Sequence, residues 1–235
     1  MKVSIVMTAY KRAGLLDNTF HTMITQTRLP DEVIVVEDGG DDNKTYDVCH
    51  EWRKRGLPIS YYHRLDRPKM SFSNAAVPKN IGIQKSTGDI IVLQCAEVKY
   101  LAPTDLANVV RPVEEDPMVT CFARAKGTEC PNLMVEYCQA IRREHVMAIG
   151  GFEEIFKGYA FEDCNFQLRL KEGRKLKFQW AEDVLVEHQW HDREMNHESV
   201  YRADFAEARR IEVEIARGHY VANEGRPWGV LKHTL

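Results

Sequence analysis

Four places along the 235-residue chain bring together side chains that could do chemistry. Glu37-Asp38 follows the buried-type run Val33-Ile34-Val35-Val36 and precedes Gly39-Gly40, so two carboxylates stand at a strand's carboxyl end, where open α/β sheets place their ligands. Gln94-Cys95-Ala96-Glu97 closes a second such run, Ile90 to Leu93. Glu162-Asp163 opens a stretch with apolar Phe166, Leu168 and Leu170, and a carboxylate at a helix N-terminus is stabilised by exposed amides and stays ionised. His188 and His191, three residues apart, could share one metal ion, with His197 a further candidate. Each feature also has a plain structural meaning. Acid-Gly-Gly suits an ordinary turn, Asp163 an N-cap, and paired histidines a solvated surface unless a carboxylate from elsewhere converges on them.

The elements that must position these residues follow from apolar periodicity. Lys2 to Met7 reads as a strand with Thr8 to Gly14 as its loop, and Leu15 to Gln26 as a helix with Asp17 and Asn18 near its start. A strand at Val33–Val36, a helix over Thr45 to Arg55 and a short strand over Ile59 to His63 complete β-α-β-α-β, the pattern of a doubly wound, largely parallel sheet. Strand one lacks G-x-G-x-x-G, which removes the main support for a dinucleotide site. Ser73 to Ser86 reads as a small-residue helix with Pro78 in its first turn, leading into Ile90 to Leu93.

Further on, Pro103 to Asp116 holds a helix, Val119 to Ala125 a strand, Lys126 to Leu133 a loop, and Tyr137 to Ile149 a short helix over Arg143 to Ile149. Leu176 to Trp180 and Val184 to Val186 are two short strands. Residues 193–217 read as a charged helix whose partial apolar face, Val200, Ala203, Phe205, Ala206, Ile211 and Ile215, packs on the domain or on a second subunit.

Bulk properties narrow the class. With 44% hydrophobic and 29% charged residues the chain is an ordinary globular protein, and a net charge of -3 gives no sign of a polycationic nucleic-acid binder. Six cysteines without a C-x-x-C pair fit reduced thiols rather than a zinc ribbon or disulfide scaffold. No apolar run approaches bilayer length and no signal-peptide layout opens the chain, so the expected location is cytoplasmic.

Several of these segments together resemble family 2 glycosyltransferases of the GT-A fold. Val3 to Arg12 is similar to that family's opening strand and loop, and Pro30 to Gly39 to its second strand and acidic end. Lys79 to Ile83 with Thr87 to Leu93 resembles the helix and strand before its metal motif, and Gly150-Gly151-Phe152 to Glu162-Asp163 with Leu168-Arg169-Leu170 resembles its acceptor segment. The likeness covers about residues 2–190.

It implies a GT-A nucleotide-diphospho-sugar transferase domain over 1–190, with a nucleotide-sugar half to residue 100 and an acceptor half from 101 to 190. Residues 191–235 are then a C-terminal helical arm, and the sheet is mixed and mostly parallel. By the same resemblance Thr8, Ala9, Tyr10 and Arg12 line the donor pocket with Tyr10 against the base, Asp38 accepts a uracil-type N–H beside Glu37, and Lys79 lies near the diphosphate. Asp163, with Glu162, is the general base of an inverting, hexosyltransferase-like transfer from a UDP-sugar.

Where the family carries an aspartate-rich D-x-D motif this chain has Gln94-Cys95-Ala96-Glu97. Gln94, Cys95 and Ala96 therefore count as donor-site residues, and Mn²⁺ or Mg²⁺ falls to Glu97 and to His188 at the place of the family's later histidine. Q-x-x-R-W is absent, which fits transfer of single sugars. The acceptor stays open among saccharide, lipid head group, protein and modified nucleic acid, and the 193–217 helix offers a route to a homo-oligomer. The missing acids also suit an inactive protein that kept the nucleotide pocket. A nucleotidyltransferase would want a Gly-rich loop after strand one, where only Gly14 stands.

Overall fold

Burial on both sides organises the sheet. In β1 (Val3–Ala9), Val3, Ile5 and Met7 enter one apolar layer and Val6 the other, and β2 (Glu32–Glu37) divides Val33 and Val35 from Ile34 and Val36 in the same way. A computed structural model describes residues 1–40, 43–68, 74–128, 134–158, 160–191 and 198–232. The first layer is closed by α1 (Ala13–Met23), α2 (Lys44–Lys54) and α4 (Asp105–Glu115). The second is closed by α3 (Ala76–Lys85), α5 (Arg143–Ala148) and α6 (Glu162–Arg174). Pro78 sits in the first turn of α3, where its missing N–H costs nothing, and a Cβ on Gly82 would collide with Val6, so this helix lies unusually close to the sheet.

The remaining strands are β3 (Ile59–His63), β4 (Ile90–Gln94), β5 (Val98–Tyr100), β6 (Val119–Lys126), β7 (Cys138–Arg142) and β8 (Lys177–His188), followed by α7 (Glu198–Ala216). Together they form one eight-stranded mixed sheet in the order β3-β2-β1-β4-β7-β6-β8-β5. β3, β2, β1 and β4 run parallel, and β7 returns antiparallel beside β4. The carboxyl ends of the parallel strands thus meet the end where β7 begins.

Several expectations need correcting. β1 continues through Ala9 because Thr8 and Ala9 pair with Val36 and Glu37. β5 and β7 were not legible as strands, and the two short strands after Leu176 are one strand, β8, whose pairing with β6 shifts register between Phe122 and Arg124. Asp17 and Asn18 cap nothing: Trp52 Nε1 donates to Asp17 at 2.6 Å, and Asn18 donates to Gln189 at 2.9 Å.

The buried stripe of α7 is Asp204, Ala208, Ile211 and Ile215, rotated from the expected face, so Ala203, Phe205 and Ala206 are exposed. That stripe packs back near Phe156, Phe161, Leu168 and Tyr220, and residues 193–197 and His197 lie outside the described residues. Five cysteines among the described residues are free thiols, and no helix there is long and apolar enough to cross a membrane.

Candidate active site

The first turns of two helices converge on one ammonium. Lys79 of α3 places Nζ 2.7 Å from Asp163 and 3.4 Å from Glu162, both in the first turn of α6, and also contacts Glu136 just ahead of β7. Its cation lies 4.7 Å from the centre of the Phe152 ring. The next residue, Asn80, donates to Phe152 O and Glu154 and accepts from Phe152 N, each at 2.8 Å, which locks the Gly151-Phe152 turn against α3.

The start of α6 is held by backbone geometry rather than a cap. Phe161 is the N-cap residue and no side chain caps the helix, so Asp163 is not an N-cap. Ala160 and Phe161 take φ of 82° and 75°, a region that side-chain-bearing residues enter at a cost of about 1–3 kcal/mol each. The surrounding contacts offset that cost. Asn74 Nδ2 donates to Gly158 O at 2.6 Å and to Glu162 at 3.0 Å, and Asp204 of α7 accepts from Gly158 N at 2.7 Å. Ala160→Gly is therefore expected to stabilise the fold by about 1 kcal/mol, a rise of about 2–4 °C in calorimetric midpoint; a lowered midpoint would contradict the strain.

The three acids differ in charge. Burial opposes ionisation of Asp163, yet the Lys79 ammonium and hydrogen bonds from Glu136 and Glu162 bring its carboxyl to about 2. Burial, and then the Asp163 charge, lifts Glu162 to about 7 and Glu136 well above the ordinary range. Lys79 is held charged by the same acids against its own desolvation. Asp163 is also the most accessible of the three, its side chain 33% exposed against 8% and 5% for Glu162 and Glu136. The cluster can accept a proton at one solvent-facing carboxylate while burial favours the protonated form of its two neighbours.

A second cluster lies across Cys95. The pairing of Val98 with His188 brings the end of β8 beside Glu97. Glu97 Oε1 is 3.4 Å from His188 Nε2 and 3.3 Å from His191 Nε2. Gln189 between the histidines bonds Glu97 O through both its backbone N–H, at 3.0 Å, and its side chain, at 3.1 Å, fixing the segment. Although burial opposes it, the two imidazoles hold the Glu97 carboxyl far below the usual carboxylate range.

The donor set fits a metal ion. One ligand atom from each of Glu97, His188 and His191 lies within 4.8 Å of the others, and two ligands about 2.1 Å from one ion are separated by roughly 3.0–3.4 Å. His188 Nδ1 is buried without a hydrogen-bond partner. Two imidazoles with one carboxylate suit Mn²⁺ better than Mg²⁺, which takes oxygen ligands. Arg12, expected in the donor pocket, points here, with Nη2 3.0 Å from His191 Nδ1.

Cys95 joins the two clusters. Its backbone N–H donates to Tyr137 O at 3.3 Å, its thiol lies 3.6 Å from Glu136 O, and the Tyr137 and His188 rings meet edge to face at 5.4 Å. Burial pushes its thiol well up, with Glu97 on one side and Lys79, Glu136 and Asp163 on the other.

The donor-side residues are placed less uniformly. Gln94 is turned into the core, donating to Val98 O at 2.9 Å and accepting from Tyr100 Oη at 2.6 Å, so it offers no carbonyl to a metal. Ala96 and Ala9 are also buried, and their carbonyls accept from Thr19 Oγ1 and Asp38 N. Thr8 and Tyr10 are half-buried, and Glu37 is buried with Lys11 N 3.4 Å from Oε1. Asp38 faces Arg64 at 2.8 Å and Arg67 at 3.4 Å instead of an open cleft, and burial raises its carboxyl despite both cations. Arg67 covers the Tyr10 ring at 3.8 Å. Lys79, expected at a diphosphate, is committed to the three acids.

Glu136, Asn74, Arg64 and Arg67 were not singled out by spacing. The one available signal was Glu136 standing ahead of Cys138–Arg142, and that strand was itself unrecognised.

Comparison with known proteins follows the same lines. The sequence profile of glycosyl transferase family 2 matches residues 4–172. The uncharacterized glycosyltransferase YwdF of Bacillus subtilis (strain 168) is 27% identical over 137 residues, 56% of this chain and 47% of that protein, so the chain spans about half its length. The mannosyltransferase PcManGT from Pyrobaculum calidifontis, in complex with GDP-Man and Mn²⁺, superposes with a TM-score of 0.70 at 18% identity, over 92% of this chain and 64% of that one. S. aureus TarS 1-349 with UDP gives 0.71 at 17%, over 92% and 65%. GalNAc-T7 with UDP, GalNAc and Mn²⁺ gives 0.73 at 14%, over 89% and 48%. At these identities the likenesses establish the GT-A fold. With the profile matching most of its length, the chain belongs to glycosyl transferase family 2.

Proposed function

We propose that the protein transfers one sugar from a nucleoside-diphosphate sugar, UDP-linked, to an acceptor hydroxyl with inversion, and that Asp163 is the general base. The observation that carries this reading is the charge pattern around Lys79: an ionised, solvent-reaching Asp163 backed by two acids whose carboxyls burial raises. A base needs its lone pair free at neutral pH and within hydrogen-bond reach of the hydroxyl. As the acceptor oxygen attacks the anomeric carbon, Asp163 takes its proton, and Lys79 limits the change in charge at the buried cluster.

The donor side is supported by Tyr10 and Asp38. A flat cation on the Tyr10 face, ion-paired with Asp38 at 3.4 Å, has the form of the contacts a stacked uracil would make, so the base enters where the Arg67 guanidinium now lies. Glu97, His188 and His191 would hold a divalent cation, which when bound neutralises the leaving diphosphate. The neighbours' GDP-Man, UDP and Mn²⁺ are consistent with a site of this kind.

Titration calorimetry with Mn²⁺, with and without UDP, tests the metal half. Binding is expected in the wild type, enhanced by UDP, and weakened about 100-fold or more in Glu97→Gln, which removes the charged ligand. No heat in either condition would refute the metal assignment. Turnover of a UDP-sugar panel tests the whole reading: nucleotide binding with no turnover across many donors and acceptors would assign the protein as a nucleotide-binding module.

A further inference from the structure

We propose that Phe161, Tyr201 and Phe205 form the acceptor subsite and that it takes a pyranose ring of a saccharide, stacked on the exposed aromatic faces; this rests on the role given to Asp163 above. Tyr201, Asp204, Phe205 and Ala208 fall at helical spacing on one side of α7. Asp204 and Ala208 are buried there, and Asp204 accepts from Lys157 N at 3.2 Å and Gly158 N at 2.7 Å. This side of α7 is therefore fastened to the loop that leads into α6. Asn74 carries the fastening on, bonding Gly158 O and Glu162. The aromatic rings consequently keep a fixed position relative to the Glu162-Asp163 turn.

Phe161 packs against the pair, and the Arg209 guanidinium lies 5.8 Å from the centre of the Phe205 ring. Phe161, two residues before Asp163, meets Tyr201 at 5.2 Å and Phe205 at 6.0 Å between ring centres. Yet Tyr201 and Phe205 are 47% and 48% exposed. Docking α7 does not require them, since Ala208, Ile211 and Ile215 supply its buried apolar stripe. What the pair adds is flat apolar surface with a phenol at its edge, set against Phe161, which stands two residues before the candidate base.

Charge and area point to the occupant. The arginines flanking the rings are neutralised on the helix itself, Arg202 by Glu198 at 2.5 Å and Arg209 by Glu212 at 2.7 Å, so among the described residues the patch offers no surplus cation to an anionic lipid or nucleic-acid backbone. Two half-exposed rings present on the order of 200 Å², against about 800 Å² per partner in a stable protein interface. A pyranose matches in size and chemistry: its axial C–H face is apolar and its rim is hydroxylated.

Saturation-transfer NMR on the full chain with cellobiose and N,N′-diacetylchitobiose, with and without UDP, tests the proposal. Saturation passing from aromatic protons to one face of a sugar ring is expected in the wild type. Tyr201→Ala/Phe205→Ala should weaken saccharide affinity about tenfold, equivalent to about 1.4 kcal/mol, while leaving UDP affinity by calorimetry unchanged. Val213→Ala, an exposed position on the same helix, should leave saccharide contact as in the wild type, and Phe205→Tyr should retain it.

No saturation of either sugar in either condition, or equal saturation in the double variant, would overturn the subsite. So would binding to phosphatidylcholine/phosphatidylglycerol vesicles, or dimerisation in the ultracentrifuge, that the double variant abolishes. Because saccharide contact is read without UDP as well, a wild type that fails to bind UDP refutes the transferase reading separately, while the subsite is still judged on the sugar signal.

Discussion

Asp163→Asn is expected to lower sugar transfer by about 10²- to 10⁴-fold, the usual contribution of a positioned base, with UDP affinity within about twofold of the wild type. The amide keeps the size of the carboxylate but has no lone pair that can take the acceptor's proton. Lys79 keeps two partners in the variant, Glu136 and Glu162, so the fold should survive. Glu162→Gln is the matching control: its carboxyl sits near 7 and is 8% exposed, so the group is buried and about half protonated at neutral pH. Its loss should cost much less activity. Steady-state transfer with nucleotide calorimetry on both variants separates the roles, and equal losses in the two, or full activity in Asp163→Asn, would remove the base assignment.

The second large effect is on stability. Lys79→Met leaves three clustered carboxylates without their cation, and breaking such a pair typically costs about 3–5 kcal/mol; partial exposure of Lys79 and Asp163 argues for the lower end. A loss of about 3 kcal/mol corresponds to roughly 6–12 °C in midpoint for a chain of this size. Adding Asp163→Asn should recover part of it, because the ionised carboxylate left without its cation is then removed.

The same cluster sets a pH dependence. Glu162 has a folded-state pKa raised to about 7, so its contribution to stability is fully present below its unfolded value near 4.5 and is lost as pH rises through about 7. Asp163 is the reverse, its contribution being present above its unfolded value near 3.8 and lost only as pH falls through about 2. Thermal midpoints of the wild type should therefore decline between about pH 5 and 8, and Glu162→Gln should flatten that decline. An unchanged slope in the variant would mean that Glu162 is not the titrating group.

What could be read from residues alone was whatever neighbouring positions dictate. Val33–Val36 and Ile90–Leu93 announced two-sided strands because burial of consecutive β-branched or aliphatic residues is a local pattern, and α6 does begin at Glu162-Asp163, where a helix start was expected. Pro78 told where α3 begins for the same reason. The three-residue spacing of His188 and His191 raised a shared metal ligand set, but the carboxylate that makes it plausible, Glu97, comes from a strand end 91 positions before His188 and joins them only through the pairing of Val98 with His188. Lys79 meets Glu136 and Asp163 across 57 and 84 positions.

Tertiary structure alone decided those meetings, together with the partners of Asp38, the inward turn of Gln94 and the face that α7 buries. An apolar period cannot foresee that Asp204 goes inside, because what draws it there is a pair of backbone N–H groups nearly fifty residues away that would otherwise lack an acceptor. Short strands take their stability from the strands they pair with, β7 from β4 and β6 and the edge strand β5 from β8, so their own few residues carry little signal. Periodicity is a property of adjacent residues, and charge pairing a property of distance in space; only the fold converts the first into the second.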